Sequence, residues 1–255
     1  MAEHRVLSYR TYLGLGKLLN AQRPLAEPPA HDEMMFIVVH QSAELWFKLL
    51  LHELTAVRDA MLDGDARRSR ELLDRCRVIE RHVVSQVDLL DTLSPMRFHE
   101  FRSVLEPASG IQSTQFREIE FLSGWNDERY LRSLPGSSSA DRATLRRRLR
   151  EPSLWEAFVR LLARGGFPVD SAADRRDTLL SLARAGPSRD ELWDVAEGLL
   201  DHDQAWALWR GRHALMVERQ IGAKTGTGGS TGVAYLRARQ ADHFYPELWE
   251  VRSLL

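Results

Sequence analysis

M-M-F-I-V-V-H-Q-S-A-E-L-W-F-K-L-L-L-H-E-L, Met34 to Leu54, is the stretch whose reading decides the fold class. Its apolar residues recur at three- and four-residue spacing instead of alternating, which is the mark of a helix with one buried face. The pattern predicts a long helix over about Asp32 to Met61, ended by Asp63-Gly64. The same period extends outward in both directions. Toward the N-terminus a helix is expected from about Leu7 to Leu19, stopped by Pro24 and Pro28-Pro29. Toward the C-terminus a helix from Ala66 to about Leu93 ends before Pro95, a short one through Phe98 and Val104 is cut by Pro107, and another spans Ser113 to Leu122. Gly136-Ser137-Ser138-Ser139 and Gly165-Gly166-Phe167-Pro168 break the pattern around a charged helical insert, Asp141 to Arg164. The longest helix opens at Pro187-Ser188-Arg189-Asp190-Glu191, where Ser188 and Glu191 have capping-box spacing, and runs to Gly222. Residues 1–255 are expected to form a single all-α domain, a bundle of long antiparallel helices.

Composition narrows the function classes. Charged residues make up 28% of the 255 and nearly cancel, leaving a formal net charge of -1. A nucleic-acid binder needs clustered positive charge, so that class is set aside. Arg146-Arg147-Arg148 with Arg150 reads as a solvated helix face. A single cysteine, Cys76, excludes an intrachain disulfide and fits a reducing compartment. M-A-E-H-R at the start leads into no apolar signal core, and uninterrupted apolar runs fall short of the roughly 20 residues a span requires. The expectation is a soluble, cytoplasmic protein that contacts no membrane.

Chemistry concentrates in R-G-R-H-A-L-M-V-E-R-Q-I-G-A-K-T-G-T-G-G-S-T-G-V-A-Y-L-R, Arg210 to Arg237. A histidine on a helix in apolar surroundings, His213, can serve as an axial metal ligand. The glycine-dense loop Gly226 to Gly232 can lay backbone donors and a hydroxyl against a small ligand. Phe36 and His40 share one face of the long helix at i, i+4, and Phe98 with Arg102 repeats that spacing. A ring beside a guanidinium can hold a flat ligand that carries a carboxylate. Blander readings exist for each: a core histidine at His40, a surface ion pair at Arg102. The loop has no Walker spacing, and zinc patterns such as Cys-x-x-Cys or His-Glu-x-x-His are absent. Trp206, Trp209 and Trp249 read most simply as core.

Several blocks together are specific. Tyr9-x-x-Tyr12-Leu13, Phe36-Ile37-Val38-Val39-His40-Gln41 with Glu44-Leu45-Trp46, and Phe98-x-x-Phe101-Arg102 come first. Pro107-Ala108-Ser109-Gly110-Ile111-Gln112-Ser113, Arg117 and Glu120-Phe121-Leu122 follow. His213-x-x-Met216-Val217-x-Arg219-x-Ile221-Gly222, Gly226-Thr227-Gly228-Gly229-Ser230 and Tyr235-Leu236-Arg237 complete the series. In these residues and their order the chain resembles the tryptophan 2,3-dioxygenase family.

The resemblance implies an all-helical enzyme enclosing a b-type haem. Such an enzyme inserts both atoms of O₂ across the indole C2–C3 bond of L-tryptophan to give N-formyl-L-kynurenine, the first step of the kynurenine pathway. It implies His213 as the axial ligand of Fe(II), leaving the opposite position for O₂. His40 would accept a hydrogen bond from the indole N–H, Arg102 would clamp the substrate carboxylate and Thr227 would meet its ammonium. Phe36 and Phe98 would wall the indole, with Ile37, Val38 and Val39 in the same block, and Ser109 would lie on the distal side of the haem. The family's homotetramer implies that the helix at 7–19, through Tyr9, Tyr12 and Leu13, completes a neighbouring subunit's pocket. The region of about 134–190 matches the family only weakly and reads as a helical insert. Two alternatives remain at this level: a divergent member oxygenating a substituted tryptophan or another indole, and a haem-based sensor.

Overall fold

The computed structural model describes residues 7–126, 138–185 and 191–255, and among these every regular element is helical. In chain order they are α1 (Tyr9–Tyr12), α2 (Leu15–Leu18), α3 (Glu33–Asp63), α4 (Ala66–Ser85), α5 (Val87–Leu90) and α6 (Pro95–His99). Two 3₁₀ turns, Arg102–Leu105 and Gly110–Gln112, precede α7 (Thr114–Ser123). Then come α8 (Ser139–Arg148), α9 (Leu154–Arg164), α10 (Ala172–Ala185), α11 (Glu191–Ile221), α12 (Val233–Ala238) and α13 (Pro246–Arg252).

The frame is α3, α4 and α11. A tight turn at Gly64-Asp65 folds α4 back along α3, and the Asp65 carboxylate caps the new helix by accepting from the Arg68 N–H at 2.8 Å. Leu50, Leu54, Val57 and Met61 lie at helical spacing on α3 and are fully buried. They meet Leu72, Leu73, Cys76, Ile79 and Val83 from α4. The other face of α4 packs on α11, while α9 packs on α3 through Leu154, Ala157, Phe158, Leu161 and Leu162. Burying a ring such as that of Phe158 stabilises the fold by about 1.5–3 kcal/mol.

Polar staples fix α11 against its neighbours. His202 Nδ1 meets Glu80 of α4, and its Nε2 lies 2.8 Å from Ser123 Oγ of α7. The Ser123 hydroxyl donates to the Ile119 carbonyl at 2.7 Å, so it accepts from His202 Nε2–H. All three side chains are buried, and burial pushes the Glu80 carboxyl up while His202 opposes it. Asp203 Oδ2 accepts from the backbone N–H groups of Phe244 and Tyr245 and from Trp249 Nε1, tying the C-terminal segment to α11.

Several boundaries differ from the sequence reading. The expected helix at 7–19 is two short helices, because the chain turns through Gly14 at φ 62°. The third helix stops at Ser85, and α5 restarts after Gln86. Phe98 lies on α6 but Arg102 opens a 3₁₀ turn, so the two do not share one helix. The charged insert divides into α8 and α9. Gly136, Ser137 and the Ser188–Glu191 cap fall outside the described residues or rest on ones that do. By length and composition α3 is long and apolar enough to cross a membrane, which the short uninterrupted runs did not suggest. Its inner face is the core just described, while Met34, Val38, Leu45 and Leu49 on its outer face are exposed.

Candidate functional site

One cavity of about 320 Å³ opens between α3, α7, α11, the 3₁₀ turns and the glycine loop. That is within the size range of small-molecule sites. From α3 come Phe36, Val39, His40 and Glu44; from α11 come Trp209, Arg210, His213 and Met216. Phe98, Arg102 and Ser109 arrive from the segment between α6 and α7, and Thr227 arrives from the loop after α11. Residues from Phe36 to Arg239, 203 positions apart in sequence, thus face one space.

His213 projects from α11 into this space. Apolar surroundings strip water from its ring and the charge of His40 opposes a second proton, so its pKa falls to about 4. The imidazole is therefore neutral across the physiological range, as an iron ligand must be. His40 is reached by solvent through the cavity mouth, yet the apolar groups around it dominate and lower its pKa against the raising effects of Phe36 and Glu44. Its Nδ1 lies 2.7 Å from the Phe36 carbonyl. A carbonyl only accepts, so Nδ1 carries the hydrogen and Nε2 is left as an acceptor. Phe36 lies tilted against His40 with centroids 4.1 Å apart and stacks on Phe98 at 5.8 Å, while Phe101 meets both phenyl rings edge-on.

Arg102 and Thr227 lie where two loops clasp each other. Arg102 Nη2 donates to the Thr225 carbonyl at 2.5 Å, and Thr227 Oγ1 donates to the Ala108 carbonyl at 2.6 Å. The guanidinium has five N–H donors, so this bond leaves others for a ligand. Gly232 shapes the loop: it has φ 62°, and a Cβ there would collide with the Lys224 carbonyl.

Farther along the wall is a charged bed that the sequence reading left without a role. Glu120 pairs with Arg117 at 2.5 Å and lies 3.5 Å from Arg210 and 3.7 Å from Arg239. Asp242 accepts from Arg239 Nε at 2.9 Å, so three guanidinium groups face two carboxylates. Arg239 Nη2 is buried and has no hydrogen-bond acceptor. Trp209, read as core, packs against the core and also lines the cavity, whereas Trp206 is core at 2% exposure. A signal was available for both Trp209 and Arg210: they precede His213 by four and three residues, on the same helix face.

The structure brings together Phe36, Val39, His40, Phe98, Arg102, Ser109, His213 and Thr227. Ile37 and Val38 do not line this cavity; Val38 points outward at 46% exposure. Tyr9, Tyr12 and Leu13 do not line it either and are exposed.

Comparison with known proteins supplies the family. A family model described as tryptophan 2,3-dioxygenase matches residues 1–165 and 151–255. The chain belongs to the tryptophan 2,3-dioxygenase family. A relative of that name from Nocardioides sp. (strain ATCC BAA-499 / JS614) is 51% identical over 253 residues, covering 98% of this chain and 95% of the relative. Another from Herpetosiphon aurantiacus is 41% identical over 260 residues, 98% of each chain. A third, from Xanthomonas campestris pv. campestris (strain B100), is 41% identical over 260 residues, covering 97% of this chain and 87% of the relative. Membership thus extends over nearly the whole chain, the weakly matching insert included.

Proposed function

We propose that this chain is a haem-dependent dioxygenase that adds both atoms of O₂ across the indole C2–C3 bond of L-tryptophan, giving N-formyl-L-kynurenine. The observation that carries the reading is the convergence of His213, His40, Arg102 and Thr227 on one largely apolar cavity. Family membership supplies the reaction class, because the relatives bear the name tryptophan 2,3-dioxygenase.

The residues present fit a haem. A neutral His213 would hold the iron through an imidazole nitrogen, and the bed of Arg117, Arg210 and Arg239 would offer positive charge to the porphyrin carboxylates, with Arg239 Nη2 lacking an acceptor. The iron, when bound, supplies the binding and activation of O₂. The protein's part is positioning. Arg102 receives the substrate carboxylate through parallel charge-assisted hydrogen bonds, and the Thr227 hydroxyl turns from the Ala108 carbonyl to the ammonium. With the amino-acid end held, the indole lies between Phe36 and Phe98 with its N–H toward His40 Nε2, the acceptor left by the Phe36 bond. Ser109, on the loop that faces Thr227, would add a hydroxyl to the wall beside the bound substrate. Fixing orientation in this way removes much of the entropic cost of the encounter.

The same reading assigns Tyr9, Tyr12 and Leu13 to the pocket of a neighbouring subunit in a homotetramer, which their exposure supports. A cytoplasmic location fits a chain whose lone cysteine is a buried free thiol. The deciding experiment incubates the haem-loaded, reduced protein with L-tryptophan under ¹⁸O₂. N-formylkynurenine carrying two labelled atoms is the expected product. A haem-loaded protein that leaves tryptophan unchanged, or inserts one labelled atom, sinks the proposal.

A further inference from the structure

The imidazole of His213 lies face to face with the indole of Trp209, one turn earlier on α11, with centroids 4.8 Å apart and planes within 9°. Trp209 is itself held from two sides, tilted against Phe116 at 5.1 Å and edge-on to Trp206 at 5.7 Å. Phe116 and Trp206 also meet edge-on at 5.2 Å, which closes a triangle of rings behind the stack. Trp206 is buried at 2% exposure. Trp206 is thus fixed in the core, and Phe116, half-buried on the cavity wall, packs against that core and against Trp209.

The stack stands where another device is usual. A metal-ligating histidine commonly donates its second N–H to a carboxylate or backbone carbonyl, which fixes the ring. Among the described residues no protein group hydrogen-bonds either nitrogen of His213. Rotation of an imidazole about its Cβ–Cγ bond is a broad, weakly resisted torsion. A ring without a hydrogen bond therefore needs another lock, and a parallel indole at stacking distance resists that rotation over the whole ring face.

We propose that Trp209 is a positioning residue: its indole sets the plane of the His213 imidazole that ligates the haem iron. This rests on the axial role of His213 argued above. Among the described residues neither Phe36 nor Phe98 makes a ring contact with His213 or Trp209, so the stack is separate from the rings on the substrate side.

The test uses the haem-loaded protein and three readouts. The haem-methyl proton shifts of the cyanide-bound ferric form report the orientation of the axial imidazole plane. The iron–histidine stretch of the ferrous form in resonance Raman reports the bond, and transfer of haem to apomyoglobin reports retention. Trp209→Leu removes the flat face; Trp209→Met does the same should the leucine variant not fold. Either should rearrange the haem-methyl pattern, broaden the iron–histidine band and speed haem loss about three- to tenfold, the scale of one aromatic stack. Trp209→Phe keeps a flat ring and should return toward the wild-type pattern. Phe158→Leu, a fully buried ring away from the cavity, should lower Tm and leave all three readouts in place. A wild-type methyl pattern in the non-aromatic variants overturns the proposal, and so does Phe158→Leu reproducing their spectra. If His213→Ala retains the iron–histidine band, it is the axial assignment that has failed and not the stack.

Discussion

His213 sits where water is stripped from its imidazole and where His40 adds a like charge, and together these hold its pKa at about 4 against an ordinary 6.5. Between those two values the unfolded chain binds a proton that the folded apoprotein refuses. Stability contributed at neutral pH is therefore lost as pH falls from 6.5 toward 4, by about 3 kcal/mol in total at roughly 1.4 kcal/mol per pH unit. Urea unfolding of the apoprotein at pH 7 and pH 4.5 should show that loss, and His213→Phe should flatten it; equal slopes in the two proteins would exclude the effect. Substrate recognition has its own residue-level test. Charge-assisted hydrogen bonds contribute about 1.5–3 kcal/mol each, so Arg102→Ala should raise the tryptophan KM at least about tenfold with haem content unchanged. Tryptamine, lacking the carboxylate, should be a poor substrate for the wild type and lose little more in that variant. Equal turnover of tryptamine and tryptophan by the wild type would remove the clamp. His40 Nε2 accepts from an uncharged donor, a bond contributing about 0.5–1.5 kcal/mol, so His40→Ala should slow turnover roughly three- to tenfold without ending it. Complete inactivity with haem still bound would make His40 an obligatory base instead.

At the scale of elements, the loop after α11 is held by a few contacts that a single methyl group can break. Gly232 combines φ 62° with a backbone carbonyl, that of Lys224, where a Cβ would go. Gly232→Ala should cost about 1–3 kcal/mol of local strain. Because the loop carries Thr227, the expected result is a raised KM for tryptophan with the helical circular dichroism unchanged; an unaltered KM would mean that the loop conformation does not matter to binding. The sequence made the long elements legible because α3, α4 and α11 repeat their apolar residues over five or more turns, long enough for the period to outweigh local noise. It was less informative where the deciding contacts are tertiary. α12 and α13 are six and seven residues long, too short for a period to register, and they are held by packing on α11 and by Asp203. Phe98 and Arg102 have helical spacing but the chain changes to a 3₁₀ turn between them, and they still reach one cavity through the fold. The Arg117–Glu120–Arg210–Arg239 bed assembles from three elements, so no window of sequence contains it. The cavity-facing side of Trp209, which also packs against the core, went unread because periodicity marks an apolar face without telling which part of that face borders a cavity.

At the scale of the whole molecule, apolar surface collects on one set of elements. Tyr9 and Tyr12 are 77% and 74% exposed, Leu7 and Leu19 are also bare, and the outer face of α3 shows Met34, Val38, Leu45 and Leu49. An exposed apolar stripe along a helix of 31 residues is the surface that the proposed homotetramer would cover. Leu45→Arg should then shift the protein to smaller species in sedimentation without lowering its helical content. Whether the N-terminal segment serves its own pocket or a neighbour's is a separate question, because an arm could fold back as easily as reach across. Mixing two defective chains separates these cases. One chain lacks residues 1–19 but keeps an intact cavity; the other is full-length and carries Arg102→Ala. Neither alone should turn over tryptophan efficiently at low concentration. If Tyr9, Tyr12 and Leu13 close a neighbouring pocket, co-expression places an intact arm over an intact cavity, and activity should recover to a fraction set by random assembly. An arm that acts only within its own chain permits no such pairing, and the mixture should be no more active than the sum of its parts.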